Sequence, residues 1–377
     1  MTNLSPVTNL RCTKKLLDRL KLPAKKIKSG TQTESDIPTE STANLGDWYA
    51  TYLPLRPKHL ILAISQRCRL AVLLPAAPLQ TLGTRFMEAV RQRLEALCIA
   101  PEIVEQELAA MGEPQFVPTG PDRCRATMGT MTQFLQVMDY SLERQEAPEE
   151  IALYLGRYLV GITGQKDYFH PETAARELLD PATVLEESRW SLQLRVTITE
   201  SDPPIWRRLL VAASLNLNQL HHLIQSAFGW QDCHLHEFVI GEGEAKVTYG
   251  TRYQFSLEPG EGPDRSGRAL RLYRAFPEVG SRLVYVYDMG DNWRHEVVLE
   301  ERVESGGGRP KCLSGERCCP PEDCGGIWSY QEVLEALGGG SSSVSGSELS
   351  EWLEWARPGF DPAAFDLEAT NKGLSYY

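Results

Sequence analysis

The sequence predicts an α+β protein of two domains, and three observations carry that prediction. The chain has 377 residues and a mass of 42.3 kDa, more than one hydrophobic core usually serves. Leu192, Leu194, Val196 and Ile198 alternate with Gln193, Arg195, Thr197 and Thr199, the period of a half-buried strand. Leu79, Leu82, Phe86, Ala89, Val90, Leu94 and Leu97 recur at three- and four-residue steps, the period of an amphipathic helix.

The first domain, residues 1–180, opens on a basic segment, RCTKKLLDRLKL. A helix here would place Leu16, Leu17 and Leu20 on one side, ringed by cations. A polar Ser/Thr-rich stretch, Ser29 to Asn44, follows, and ordered structure resumes at Trp48. His59–Ile64 and Arg69–Leu74 are short, apolar and joined by four residues, so they read as a hairpin. After the helix at 79–97, Pro101 suits the first turn of another, whose apolar face is Val104, Leu108 and Met111. Further helices carry Met131, Phe134, Leu135, Met138 and Leu142, then Ile151, Leu155 and Leu159. Between Asp167 and Arg189 no long apolar pattern appears, and His170-Pro171 and Asp180-Pro181 break the chain. The domain boundary is placed there.

In the second domain, residues 187–377, the strand at 192–198 turns at Asp202-Pro203-Pro204 and returns as Ile205–Val211. Asn216 to Phe228 is helical, with Leu217, Leu220, Ile224 and Phe228 inward; His221 and His222 are expected to be partly exposed. His234–Ile240 is another strand. Leu283–Tyr287 and Trp293–Glu300 form a hairpin around Met289-Gly290-Asp291. A cysteine-rich loop, a helix at Tyr330–Leu337, a Gly/Ser linker and a last helix carrying Leu349, Trp352, Leu353 and Ala356 complete the chain.

A 42% apolar and 24% charged composition is that of an ordinary globular protein. No apolar run approaches the roughly 20 residues of a membrane span, and no signal peptide is expected at the N-terminus. Nine cysteines without an export signal point to a reducing cytoplasm and to free or metal-bound thiols. The net charge of −11 argues against a general polyanion binder. Charge is uneven, however. Residues 10–28 hold Arg11, Lys14, Lys15, Arg19, Lys21, Lys25, Lys26 and Lys28 against Asp18, a net +7, so the total of −11 leaves −18 on residues 29–377. This segment is a candidate contact for nucleic acid or an acidic partner. The plainer reading, and the preferred one, is a surface helix whose leucines dock on the first domain.

Three groups of residues could carry chemistry. Cys312, Cys318, Cys319 and Cys324 lie within KCLSGERCCPPEDCGG. Zinc takes about four N/S ligands, commonly in pairs roughly two to four residues apart. Cys319 and Cys324 meet that spacing, Cys312 does not, and adjacent Cys318 and Cys319 cannot both reach one ion. A histidine must complete the set, and the candidate zinc ligands are Cys312, Cys319, Cys324 and His295. The plainer reading is a rigid Pro/Gly loop with buried thiols. His234 and His236 leave one strand face together, as do Trp293 and His295 on the hairpin. Their plainer reading is buried histidines bonded to backbone or carboxylate. Asp288, Asp291, Glu322 and Asp323 sit in turns, where carboxylates commonly cap amides. Facing a histidine, they could instead move protons or hold a divalent ion. No Walker loop, GxSxG, HExxH or dinucleotide-binding GxGxxG occurs.

The stretches QLRVTITESDPPIWRRLLVAASLNLNQLHHLIQSAFGWQDCHLHEF, YVYDMGDNWRHEV, CLSGERCCPPEDCGG and FDPAAFDLE resemble, in order, the plasmid pRiA4b ORF-3-like family, also described as a passenger protein of insertion elements. The resemblance spans about residues 187–374. Its motifs fall on Pro204, Trp206, Arg207, Gly229, Trp230, His234, Phe238, Tyr287, Asp288, Gly290, Asp291, Trp293, His295, Cys312, Pro320, Pro321, Glu322, Asp323 and Gly325-Gly326. It implies an α+β domain with an antiparallel, curved sheet and packed helices in plasmid and mobile-element settings, and no established reaction. The chain departs from the family at Cys318, where a small residue is expected. It departs again at its Gly/Ser run, which replaces a loop often bearing acids and histidine and so removes candidate metal ligands. RCTKKLLDRL, LGDWYATYL, HLILAIS with RLAVLLP, and RATMGTMTQF give residues 9–180 the look of a separate bacterial domain of unknown function.

These readings favour a non-enzymatic binding or adaptor protein whose partner is a protein or small ligand. The alternatives are a nucleic-acid-binding accessory protein using residues 10–28, and a metal-dependent hydrolase. The expected site is a cleft joining His234, His236, Asp288, Asp291, Trp293, His295, Glu322 and Asp323.

Overall fold

In the computed structural model, residues 6–21, 41–55, 59–119, 125–143, 146–161, 168–251, 262–304, 308–340, 344–356 and 360–376 are described. They form two compact units, the first ending at Val184 and the second beginning at Leu185. Helices and mixed sheets make both α+β in class. No helix among the described residues is long and apolar enough to cross a membrane.

The first unit holds strands β1 (Thr8–Cys12), β2 (Trp48–Leu53), β3 (Leu60–Ser65), β4 (Ala71–Pro75) and β5 (Pro114–Pro118). Their order is β4-β3-β2-β1-β5. β1 runs parallel to β2 and β5, while β2, β3 and β4 are antiparallel. Its helices are α1 (Lys14–Leu20), α2 (Leu82–Ala96), α3 (Pro101–Met111), α4 (Arg125–Val137), α5 (Asp139–Glu143), α6 (Pro148–Gly156) and α7 (Pro171–Leu179), with a small ribbon of β6 (Val160–Gly161) and β7 (Tyr168–Phe169). Alternate strand residues face opposite layers. Trp48, Ala50, Ile61, Ala63 and Val72 meet Phe86, Val90, Leu94 and Val104 on one side. Tyr49, Leu62, Ile64 and Leu73 meet Met131, Phe134, Ile151 and Leu155 on the other. A sheet covered on both faces has strands that are apolar throughout, which is why HLILAIS and RLAVLLP show no alternation.

The basic segment is not one helix. Thr8–Cys12 is a fully buried central strand, and the helix α1 begins only at Lys14. Leu16 and Leu17 are buried as the leucine spacing predicts. Arg11 is buried too, its Nε and Nη2 each 2.7 Å from Asp47 Oδ2, with Asn9 Nδ2 donating to Asp47 Oδ1 at 3.1 Å. Arg11 is therefore lost to any surface contact. Lys25, Lys26 and Lys28 lie outside the described residues.

α8 (Pro181–Arg189) leads into the second unit. Its strands are β8 (Trp190–Ile198), β9 (Trp206–Ala212), β10 (His236–Ile240), β11 (Val247–Gly250), β12 (Arg265–Ser266), β13 (Arg282–Tyr287), β14 (Trp293–Glu304) and β15 (Lys311–Glu316). The sheet order is β12-β11-β10-β13-β14-β8-β9-β15, antiparallel except for β11 with β12. α9 (Leu217–Phe228) packs Leu217, Leu220, Ile224 and Phe228 on the inward row of Leu194, Val196, Phe238, Tyr285 and Val297. Its start is fixed by a capping box between Asn216 and Gln219, and its end by Gly229 at φ +80°. α10 (Leu272–Ala275), α11 (Gly326–Leu337), α12 (Gly346–Trp355) and α13 (Leu367–Leu374) complete the unit.

Candidate functional site

Three chain segments converge at one end of the second unit: the α9–β10 connection, the β13–β14 turn and the loop after β15. Arg207 fastens the loop. Its guanidinium donates to Ala227 O, Glu316 O and Arg317 O at 2.9–3.1 Å, between the Phe228 and Phe365 rings. Trp230 stacks on Tyr287 with ring centres 5.0 Å apart, and its Nε1–H donates to Pro320 O at 3.0 Å. Glu322 Oε1 accepts from Gln231 N at 2.7 Å and from the Tyr287 hydroxyl at 3.1 Å. Burial and its contact with Cys233 push that hydroxyl's pKa up, so Tyr287 stays a donor. The turn is built by Asp288, whose Oδ1 accepts from Gly290 N and Asp291 N at 2.8 and 3.3 Å. Asp291 Oδ2 in turn accepts from Gly325 N at 3.0 Å, tying turn to loop.

His234 stands at the meeting point. Its Nε2 lies 3.1 Å from Asp323 Oδ1, 3.6 Å from Asp288 Oδ2 and 3.9 Å from Glu322 Oε2. That buried nitrogen has no hydrogen bond in line with any of them. Two overlapping sets of donor atoms, His234–Asp288–Asp323 and Cys233–His234–Glu322, each fall within 4.8 Å of one another, the reach of a single ion. Asp288 spends Oδ1 on backbone amides and turns Oδ2 toward His234, while the Tyr287 hydroxyl lies within reach of both Glu322 oxygens, Oε2 at 3.3 Å, the orienting role that outer hydrogen bonds play around metal ligands.

The remaining expected residues lie elsewhere. His295 is fully buried, with Nδ1–H donating to Trp293 O at 3.1 Å and its ring edge-on to Phe228 and Trp230. Burial pulls its pKa down to about 3. Trp293 is buried opposite Tyr287 in the hairpin register. Asp291 serves the loop as described. Among the described residues no three-donor group includes Cys312, Cys319, Cys324 or His295. Cys312 Sγ instead donates to Ser314 O, while Asn371 brackets its backbone at 2.9 Å on both sides. Burial pushes Cys324 up to about 12 and Cys312 and Cys319 upward as well. Neutral thiols are poor nucleophiles. Cys319 and Cys324 share the loop and act on each other electrostatically, but among the described residues neither joins Cys312 or His295 in a group of three donors within one ion's reach.

His236 is drawn into a different group. Its ring stacks on His221 with centres 3.5 Å apart at 7°. His221, expected to be partly exposed, is fully buried, whereas the His222 side chain keeps 37% exposure. Gln225 Nε2 donates to the Tyr285 hydroxyl at 3.0 Å, which pairs with His221 Nδ1 at 2.8 Å. His221 Nε2 meets Asp232 Oδ1 at 2.7 Å, and Asp232 N returns to Gln225 Oε1 at 2.9 Å. A carboxylate only accepts, so His221 carries its proton on Nε2 and accepts at Nδ1. Burial lowers the His221 pKa and opposes the Asp232 anion, yet hydrogen bonds from His221 and His222 hold that carboxyl well below its usual range. The ring of bonds closes on itself and fixes the connection from which His234 projects.

Residues 191–369 match the family described as plasmid pRiA4b ORF-3-like protein, and residues 9–174 match a domain of unknown function, DUF6933. An uncharacterized protein, y4hQ of Sinorhizobium fredii (strain NBRC 101917 / NGR234), is 33% identical over 186 residues, 48% of this chain and 90% of its own length. A crystal structure of a protein of unknown function, MM3350 from Methanosarcina mazei Go1, is 31% identical, covers 48% of this chain and 96% of that one, and has a TM-score of 0.40. The fold and motifs define a two-unit α+β protein. Through its second unit the chain belongs to the plasmid pRiA4b ORF-3-like family.

Proposed function

We propose that this is a binding protein whose second unit takes a divalent cation at His234, Asp288 and Asp323, with Glu322 and Cys233 beside them. One observation carries the reading: an orphaned imidazole nitrogen faces three carboxylates from two different segments. Nitrogen and oxygen donors suit zinc or manganese. Binding is favoured over hydrolysis because the neighbouring cysteines are neutral and the acids also hold backbone amides. A role in plasmids or insertion elements draws its support from the family's name, and a cytoplasmic setting from the nine cysteines. Nucleic-acid binding through residues 10–28 has less support, since Arg11 is ion-paired and Arg19 lies over the Tyr52 ring.

Calorimetric titration of the metal-free full chain with Zn²⁺ and Mn²⁺ tests the site. About one ion per chain is expected for the better-bound metal. His234→Ala and Asp288→Asn should each weaken it by at least about tenfold, roughly 1.4 kcal/mol. Asparagine keeps an oxygen for the turn amides, so that variant isolates the ligand role. Cys319→Ser should leave affinity unchanged. No binding, or binding indifferent to His234, contradicts the proposal.

A further inference from the structure

The sheet of the first unit ends in β4, which among the described residues pairs with β3 alone. Ser65 N donates to Leu70 O at 2.9 Å and Ala76 N to His59 O at 2.8 Å, which fixes the phase of the pair. Antiparallel neighbours alternate between bonded and unbonded positions. Val72 and Leu74 therefore turn their peptide groups to β3, while Ala71, Leu73 and Pro75 turn theirs to the open edge. Between α2 and α6 lies a cavity of about 370 Å³ whose lining includes Val72, Leu73, Leu74 and Pro75 in succession. Their side chains alternate between the two faces of the sheet, so the cavity meets the strand edge-on. Ala89 and Ala96 of α2 and Ala152 and Leu153 of α6 are its apolar walls.

Of the three outward peptide groups, Pro75 has no N–H and its carbonyl accepts from Arg85 Nη1. Ala71 lies outside the lining. The N–H and C=O of Leu73, a residue only 6% exposed, are left facing the cavity. A buried peptide group without a partner is costly and rare. The charged side chains of the lining are engaged: Arg85 with Pro75 O and Pro78 O, Glu88 with Gln92, and Arg93 and Glu149 with partners of their own.

We propose that this cavity binds a short, uncharged, apolar segment of extended peptide, one residue of which pairs with Leu73. Its C=O accepts from Leu73 N–H and its N–H donates to Leu73 C=O, as the next antiparallel strand would. Strand addition at a sheet edge takes its affinity from such main-chain bonds and its selectivity from the walls that receive the side chains. The occupant is short because Pro75 and Arg85 close one end of the edge. The volume also lies near the lower end of the roughly 300–1,000 Å³ usual for small-ligand pockets. The site belongs to the first unit and does not depend on the cation proposed at His234.

Amide NMR of the full chain with N-acetyl-leucine-N′-methylamide tests this, since that compound carries one residue's N–H and C=O between apolar ends. In the free chain the Leu73 amide should exchange with solvent at least about tenfold faster than the ladder-bonded amides of Val72 and Leu74. Adding the compound should shift the Leu73 amide resonance saturably and slow its exchange. The analogue methylated on the leucine nitrogen has lost the donor and should bind at least about tenfold more weakly. A Leu73 amide as protected in the free chain as its two neighbours would show an edge already satisfied and overturn the proposal. So would the lack of a saturable shift up to the solubility limit of the compound. Equal binding of the methylated analogue would reduce the contact to apolar burial and overturn it too.

Discussion

Lowering the pH from 7.5 to 5.5 is expected to weaken the second unit well before its carboxylates titrate. His295 has an ordinary pKa of 6.5, lowered to about 3 by burial in the fold. Above 6.5 both folded and unfolded chains hold it neutral and its contribution is fully present. Below 6.5 the unfolded chain takes up a proton that the folded chain refuses, so stability falls as the pH drops toward 3. The slope is about 1.4 kcal/mol per pH unit, or roughly 5 kcal/mol across the whole window. His236 and His221 are lowered by the same cause, burial, and act in the same direction. Because their rings are stacked 3.5 Å apart, charging either one disfavours charging the other. Urea unfolding at the two pH values measures the effect. The His295→Phe variant, placed among Phe228, Trp230 and Tyr285, should lose about one proton's worth of slope. An unchanged slope in that variant, or a wild-type midpoint indifferent to pH, would refute the assignment of His295 as a buried neutral core residue.

Gly326→Ala should destabilise the second unit by about 2–4 kcal/mol. Gly325 and Gly326 both have positive φ, +85° and +77°, where the cysteine loop enters α11. A Cβ on Gly326 would lie 2.5 Å from Asp291 O. That carbonyl cannot retreat freely, because Asp291 N is bonded to Asp288 and Asp291 Oδ2 to Gly325 N. The same backbone carries Glu322 and Asp323 toward His234, so cation affinity should fall together with stability. Gly325→Ala provides the contrast. Its Cβ would touch only the Ser329 side chain, at 3.1 Å, leaving a backbone penalty of about 1–2 kcal/mol. Chemical denaturation of the two variants checks the order, and equal effects would remove the proposed close approach.

Much of this architecture is legible in the sequence where period and burial coincide. The β8 alternation, the α9 stripe ending at Phe228 and the hairpin around Gly290 are such cases. The β1 strand is not, because Thr8, Asn9 and Arg11 look solvated until Asp47 supplies their partner from far along the chain. β15 is equally hidden: KCLSGE is a polar edge strand bound on one side only, to β9. In the site, the two-residue spacing places His236 on the inward row with Phe238. His234 precedes the strand, so strand alternation does not govern it, and its direction comes from the loop. His221 was readable, since it lies four residues after Leu217 and three before Ile224, on the buried stripe of α9. Asp232 and Cys233 carry no such signal; the closed ring of hydrogen bonds through Gln225 and Tyr285 reveals what Asp232 faces, and the Tyr287 hydroxyl, 3.1 Å from Cys233 N, what Cys233 faces.

The most direct test of the account is X-ray absorption at the zinc edge on the zinc-loaded full chain. Coordination at His234, Asp288 and Asp323 predicts a first shell dominated by nitrogen and oxygen at about 2.0–2.2 Å, with at most a single sulfur from Cys233. Its imidazole scattering should disappear in His234→Ala. A shell dominated by sulfur at about 2.3 Å, unchanged in that variant, would put the ion in the cysteine loop and contradict the His234 centre.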